Sequence, residues 1–401
     1  MKKIAIFISH PVQYQVPIFK KIAAHPDINL TVFFFWDYGV KETYDPKFGQ
    51  GVKWDIPLLE GYKHEFLKNI SPKETSAHFF GEINPGLFSK IFKGKYDALI
   101  IFGWQTMSHW LAIFTAILTR TPFFLRGENS LSKEFKKNIF KRCIKQIIMR
   151  SLFKFASGLF FIHEENKRFY MHYGVPESKL YPVHYAIDNE KFILEAEKLI
   201  PLKNKLKLKL GINKEQKVIL FSGKLVSGKR PFDLISAYEK LLEKAKENKT
   251  PKPALVFIGN GPIKGELEKY AKENKLDQIY FAGFKNQNEI SESYAIGDVL
   301  VLPSEGETWG LVVNEAMCFK LPIIVSEAVD CGSNLVVHGK NGYVFPVSDI
   351  ESLSKYINEI LSNKKTSDEF GKESLNLISK WSFNQNVEDV VNAINHKNTE
   401  L

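Results

Sequence analysis

Short apolar runs alternate along almost the whole chain with segments whose apolar residues recur every three or four positions. The runs are rich in Val, Ile, Leu and Phe, the composition of strands buried on both faces. In the first half they fall at residues 4–8, 30–35, 98–102, 122–125 and 159–162. In the second half they fall at 218–221, 255–258, 279–282, 299–302 and 322–325. Strands alternating with helical spacing predict parallel sheets and an α/β architecture. Each set suffices for one Rossmann-like, doubly wound domain, so residues 1–190 and 191–380 are expected to form two such domains. The boundary is placed at a linker near residues 188–192, ahead of a lysine-rich stretch at 195–210 whose pattern supports only a short helix. Phe383, Val387, Val390, Val391 and Ile394 keep helical spacing, so a closing helix is expected within residues 381–401. Doubly wound folds bind ligands beyond the carboxyl ends of their strands. The chemistry is therefore expected on loops that follow strands, in a central cleft that the two domains face.

A length of 401 residues agrees with two domains. No apolar run is long enough to span a bilayer, and the apolar stretch at the N-terminus is too short for a secretory signal. Cys143, Cys318 and Cys331 have neither disulfide-framework nor metal-ligand spacing, which suggests a reducing compartment and a cytoplasmic protein. Charge changes the picture more. Residues 1–200 carry 28 basic against 19 acidic side chains, whereas residues 201–401 carry 27 against 26. Much of the excess lies at 133–154, where Lys133, Lys136, Lys137, Lys141, Arg142, Lys145, Arg150 and Lys154 interleave with apolar residues at helical spacing. This predicts one amphipathic helix with a basic face. Its plain reading is a helix packed on a sheet with a solvated outer side. Its sharper reading is peripheral docking on an anionic membrane surface, the inner face of the cell membrane. No nucleic-acid module is recognisable.

Two segments carry chemistry. Residues 299–317 read as strand, loop and helix, with the next strand at 322–325 completing a βαβ unit. Glu307 falls on the loop, just ahead of a helix expected to start near Gly310, and Glu315 falls about one turn inside it. Backbone N–H groups at Trp309, Gly310 and Leu311 make that helix start suited to an anion. Two carboxylates beside it suit sugar hydroxyls. The second segment, residues 218–230, is a strand running into a basic turn that contains Gly223, Lys224, Gly228 and Lys229. It nearly spells a P-loop, but Arg230 replaces the hydroxyl residue that would reach a magnesium ion. Gly259-Asn260-Gly261-Pro262 is a strand-to-helix turn with a proline-initiated helix expected after it. It is out of step with the dinucleotide fingerprint.

The string from Pro303 to Met317, with Glu307 and Glu315 eight positions apart, resembles the signature of the retaining family-4 glycosyltransferases (glycosyl transferases group 1), which adopt the GT-B fold. The likeness is strong over residues 215–350. It implies that Glu307 meets the donor sugar's hydroxyls and that Glu315 holds the nucleotide ribose. In the family a Gly-Arg-Leu…Lys-Gly turn clamps the donor diphosphate. Here Lys224 stands at the arginine position and Lys229 matches the lysine, which replaces one bidentate fork by a point charge. Phe284, after Phe281-Ala282-Gly283, matches a position beside the nucleobase. The turn His338-Gly339-Lys340-Asn341-Gly342-Tyr343 is similar to one with a structural role.

The first half departs from the common family pattern. Ser9-His10-Pro11-Val12-Gln13-Tyr14 stands where many members have a glycine-rich loop, and it resembles a His-Pro-x-Gln-Tyr subgroup associated with bacterial surface-polysaccharide loci. His10, Gln13 and Tyr14 are therefore candidates to line the acceptor or donor pocket, a capped tight turn being the plainer reading. Arg126-Gly127-Glu128 stands where many relatives have a histidine. Arg126 suits a phosphate or carboxylate and Glu128 an acceptor hydroxyl. Trp104 is suited equally to stacking on a sugar or to the core.

The resemblance implies a retaining hexosyltransferase that moves a sugar from a nucleoside diphosphate sugar to a glycan or lipid-linked acceptor, in bacterial surface polysaccharide synthesis. It implies no covalent nucleophile. Lys224, Lys229 and Glu307 are the expected catalytic groups. No Asp-x-Asp occurs in the chain, so no metal and no cofactor is expected. The alternatives are a GT-B-type nucleotide-sugar epimerase and a non-catalytic nucleotide-sugar-binding protein.

Overall fold

The computed structural model describes residues 1–40, 43–45, 50–52, 56–134 and 139–396. The chain divides into two compact units. The first comprises Met1–Thr43, Ile56–Tyr185 and Phe383–Leu401, and the second Tyr44–Asp55 and Ala186–Ser382. The passage between them falls five residues before the boundary expected from the sequence. No open linker marks it: Asp188 caps the helix Asn189–Leu199, accepting from the Lys191 amide at 3.1 Å. The closing helix exists as Phe383–His396 and counts with the first unit. Asn386 there bonds His184 in both directions, at 2.8 and 3.1 Å.

The strands, in chain order, are β1 (Lys2–Ile8), β2 (Ile28–Phe34), β3 (Thr43–Asp45), β4 (Gln50–Val52), β5 (Lys63–Phe66), β6 (Ala98–Phe102), β7 (Phe123–Arg126), β8 (Gly158–Phe161) and β9 (Leu180–Pro182) in the first half. The second half has β10 (Val218–Ser222), β11 (Ala254–Ile258), β12 (Ile279–Gly283), β13 (Val299–Leu302), β14 (Ile323–Ser326) and β15 (Gly342–Phe345). The first sheet runs β5-β2-β1-β6-β7-β8-β9 and the second β12-β11-β10-β13-β14-β15. Every pairing described within these two sheets is parallel, with β1 beside β6 and β10 beside β13 marking where the strand order reverses. Both units are thus Rossmann-like and doubly wound. Strands β3 and β4 form a two-stranded sheet of their own.

All ten predicted strands are present, within one or two residues at each end. The three unpredicted members of the large sheets, β5, β9 and β15, are all edge strands. Their sequences, Lys-His-Glu-Phe, Leu-Tyr-Pro and Gly-Tyr-Val-Phe, are short and are interrupted by charged residues, proline or glycine, so none offers a run of four apolar residues. The central strands carry the core: Ile4 to Phe7 and Val218 to Phe221 have no solvent exposure.

The predicted basic helix resolves into Leu131–Glu134 and Ile139–Phe155. Residues 135–138, and the side chains of Lys133 and residues 139–142, lie outside the described residues. Leu152 is buried as the apolar spacing requires, but Ile144, Ile147, Ile148 and Phe155 are exposed beside Arg150 and Lys154. Lys145 is turned inward, pairing with Glu134 at 2.6 Å.

Candidate functional site

The second unit's site is built on the ends of β10, β11 and β13. Strand β10 ends at Ser222, and Gly223 leaves it at φ 153°, its amide donating to Ile258 O at 2.9 Å. On β11, Gly259 follows at φ 133°, and a Cβ there would sit 1.9 Å from Gly223 O. The two loops therefore touch backbone to backbone, and Leu225 N donates to Asn260 O at 2.9 Å. Gly259→Ala is expected to destabilise the second unit by about 1–3 kcal/mol, since it imposes both a clash and a disfavoured backbone. Thermal unfolding checks this. The helix expected to start at Pro262 begins two residues later, at Lys264.

From Gly223 the chain enters a single 3-10 turn, Ser227–Lys229, and then Pro231–Glu247. Arg230, at φ 51°, turns its guanidinium to Asp233 (2.5 and 3.0 Å) and Glu305 (3.5 Å). It ties this turn to the loop after β13, where Glu305 N donates to Gly228 O at 3.0 Å. That tie brings Lys229 against Glu307, and the two side chains form an ion pair. Burial pushes the Lys229 ammonium down to about 8, and nearby Lys224 adds to that push. The Glu307 carboxylate acts in the opposite sense, favouring the charged lysine. Glu307 is itself fixed through its backbone: its amide donates to Ala328 O at 3.0 Å, and its carbonyl accepts from Asp330 N at 3.1 Å.

The helix after the loop is Leu311–Cys318, with Gly310 as its cap at φ 95°. Glu315 therefore sits one turn in, as its spacing predicts. It is only 9% exposed, and burial pushes its carboxyl up to about 7, against the pull of a hydrogen bond from Tyr294 and the charge of Lys191. Tyr294 Oη donates to Glu315 Oε2 at 2.6 Å and lies 3.3 Å from Ser222 Oγ, the residue before Gly223. Tyr294 escaped the sequence reading, because a tyrosine in a short helix carries no motif. Trp309 is buried, donating from Nε1 to Asn314 at 2.9 Å and packing on Trp381. Its indole is a prop for the helix start, leaving only its backbone for a ligand. Phe284 follows β12, whose last residue accepts from Gly259 N at 2.8 Å. The turn at 338–343 is a backbone brace, in which a Cβ on Gly342 would meet Ile323 O.

In the first unit a cavity of about 230 Å³ opens beyond β1, β6 and β7. His10, Tyr14, Arg126 and Glu128 all line it. His10 accepts or donates at Ser9 Oγ (2.9 Å), packs edge-on to Tyr38, and is pushed down to about 4 by burial, hence neutral at pH 7. Tyr14 packs edge-on to Tyr185, whose hydroxyl donates to Glu128. Gln13 does not line the cavity. Trp104 lies in the core among Phe153, Phe169 and Tyr170, and a Cβ on Gly127 would strike its ring at 2.2 Å. That position leaves no ring face for a sugar, so its core role prevails. The sequence reading also missed Glu82. This buried carboxyl accepts from Ser9 and from Thr106 (2.8 Å), and burial pushes its pKa up. Among the described residues no group of three or more His, Cys, Asp or Glu side chains is placed to hold a metal ion.

Two doubly wound parallel units, which superpose over almost their whole length on solved GT-B glycosyltransferases, give the chain the GT-B fold. Residues 203–376 match the family "Glycosyl transferases group 1". The chain is 35% identical over 149 residues to the sulfoquinovosyl transferase of Arabidopsis thaliana, covering 36% of this chain and 29% of that protein. It is 26% identical to an Escherichia coli UDP-Gal:α-D-GlcNAc-diphosphoundecaprenol α-1,3-galactosyltransferase, covering 77% of this chain and 74% of that one. Most alignments with curated relatives span about a third to a half of those proteins. The crystal structure of Anabaena HepE in complex with UDP superposes with a TM-score of 0.75 at 16% identity, covering 99% of this chain and 100% of that one. At that identity the likeness concerns the fold.

Proposed function

We propose that the protein is a metal-independent, retaining family-4 glycosyltransferase that moves a hexosyl unit from a nucleoside diphosphate sugar to a hydroxyl of a glycan or lipid-linked acceptor. The observation that carries this reading is the Lys229–Glu307 pair at the mouth of the glycine turn, with Glu315 one helical turn beyond. A half-buried lysine whose ion pair among the described residues is with a carboxylate suits a diphosphate that takes that carboxylate's place as partner, freeing Glu307 for sugar hydroxyls. Lys224, Lys229 and the amides that open Leu311–Cys318 stabilise the leaving diphosphate. Glu315, with Tyr294 fixing one of its oxygens, accepts from the ribose hydroxyls. The departing phosphate takes the acceptor's proton, so no side chain need act as nucleophile.

Incubation with uridine, guanosine and adenosine diphosphate sugars, with and without sugar acceptors, tests the reading. Nucleotide release that depends on acceptor, persists in EDTA and leaves the anomeric configuration unchanged in the product agrees with it. Acceptor-independent isomerisation of the sugar would indicate an epimerase. Binding without turnover would indicate a carrier.

The first unit also suits an anionic membrane surface. Ile147 is 71% exposed beside Arg150 and Lys154, and Phe92 and Leu118 are 63% and 71% exposed on Gly86–Gly94 and Met107–Thr119. No helix among the described residues is long and apolar enough to cross a membrane. The protein is expected to sediment with vesicles containing phosphatidylglycerol and to be released by salt. Equal recovery with purely zwitterionic vesicles would remove this part of the proposal.

A further inference from the structure

Arg126 is the last residue of β7 and is only 5% exposed, yet it lines the cavity of the first unit. Its guanidinium lies over the rings of Phe102 and Tyr185, at 5.3 and 5.2 Å. Those faces favour a cation but neutralise nothing. Among the described residues no carboxylate lies within ion-pair distance of it, and its buried Nε–H has no hydrogen-bond partner. The nearby carboxyls are already engaged. Glu128 accepts from Tyr185, while Glu82 accepts from Ser9 and Thr106 and is pushed by burial toward its neutral form. His10 and His109, both lining the cavity, are pushed down to about 4 and are neutral at pH 7. Arg126 is thus the cavity's one unpaired cation among the described lining residues. A buried charge left unpaired is costly, and a planar fork of donors fits the oxygens of a carboxylate or phosphate.

We propose that this cavity binds an acidic sugar, its carboxylate or phosphate oxygens on the Arg126 guanidinium and a hydroxyl toward Glu128. This rests on the transferase reading for the ligand's role as acceptor. The acceptor is then an anionic saccharide, a uronate or a phosphosugar, and a neutral saccharide is discriminated against because it leaves Arg126 unpaired. A preceding reaction must accordingly be one that oxidises or phosphorylates a sugar.

Saturation-transfer NMR with D-glucuronate, D-glucose 6-phosphate and D-glucose tests this on the wild-type chain, Arg126→Gln, Arg126→Lys and Lys229→Ala. At least one acidic sugar is expected to bind the wild type and Lys229→Ala at least tenfold more tightly than glucose. Arg126→Gln should lose that preference and Arg126→Lys keep part of it, thermal unfolding confirming that each is folded. Preference for glucuronate alone assigns a carboxylate, and for glucose 6-phosphate alone a phosphate. Equal affinity of the wild type for all three sugars, or no binding of either acidic one, overturns the proposal without reference to any variant. So does a preference that Arg126→Gln keeps, or one that Lys229→Ala abolishes, since the latter places the anion in the second unit. UDP titrated into the same samples reports on the donor site alone, so failure of the donor reading shows up separately.

Discussion

Lys229→Ala is expected to lower turnover of the sugar nucleotide by about two to three orders of magnitude, roughly 3–4 kcal/mol of transition-state stabilisation. The lysine's charge is held by burial in a place where it is costly, and what it faces decides the balance. With no donor bound that partner is Glu307. In the proposed reaction negative charge grows on the leaving diphosphate, so the lysine's interaction strengthens toward the transition state, and the loss should fall on kcat more than on KM. Removing Lys229 also strands the Glu307 carboxylate. The informative comparison is therefore with Glu307→Gln and the double variant. If the two act as a unit, the double variant should be no slower than the worse single variant. Lys229→Arg should recover part of the rate, since the charge remains while the reach changes. Near-normal turnover in folded Lys229→Ala would sink the assignment of this turn to the diphosphate.

Much of the geometry of the proposed donor site was legible in the sequence because it is made by local order. Glu307 and Glu315 lie on one strand–loop–helix unit, so spacing alone fixes one on the loop and the other a turn into Leu311–Cys318. What spacing could not give was the partner of each. Lys229 meets Glu307 only because β10 and β13 are neighbours, and Arg230 with Glu305 ties their loops together. Tyr294 reaches Glu315 from a helix 21 residues away in sequence. In the first unit the same limit bites harder. His10, Tyr14, Arg126 and Glu128 were recognisable as polar residues after strands. Glu82 and Tyr185 complete their surroundings from a 3-10 turn's end and from a chain passage, neither of which carries a motif. Trp104 shows the converse. After a strand it reads equally as a sugar platform or a core residue, and the contact with Gly127 that decides between them is long-range.

The pH profile of kcat/KM is expected to be bell-shaped, with both limbs set by the donor site. The acid limb belongs to Glu315. Burial raises its pKa to about 7, so the carboxylate proposed to accept from the ribose is present above that pH and lost as pH falls through it. The alkaline limb belongs to Lys229. Burial lowers its pKa to about 8, so the ammonium is present below and lost as pH rises. The facing Glu307 carboxylate favours the charged lysine and moves that limb to about 8 or above. A nucleoside diphosphate sugar has no phosphate proton to lose near neutrality, so the acid limb reports the protein. Beyond each limb the rate constant should fall about tenfold per pH unit, because kcat/KM follows the free enzyme's ionisations. The carboxamide of Glu315→Gln cannot titrate, so that variant should lower the plateau and abolish the acid limb while leaving the alkaline one. Tyr294→Phe removes the donor that stabilises the carboxylate and should move the acid limb upward. If the acid limb persisted unchanged in Glu315→Gln, the group titrating there would have to be another, and the ribose role of Glu315 would lose its support.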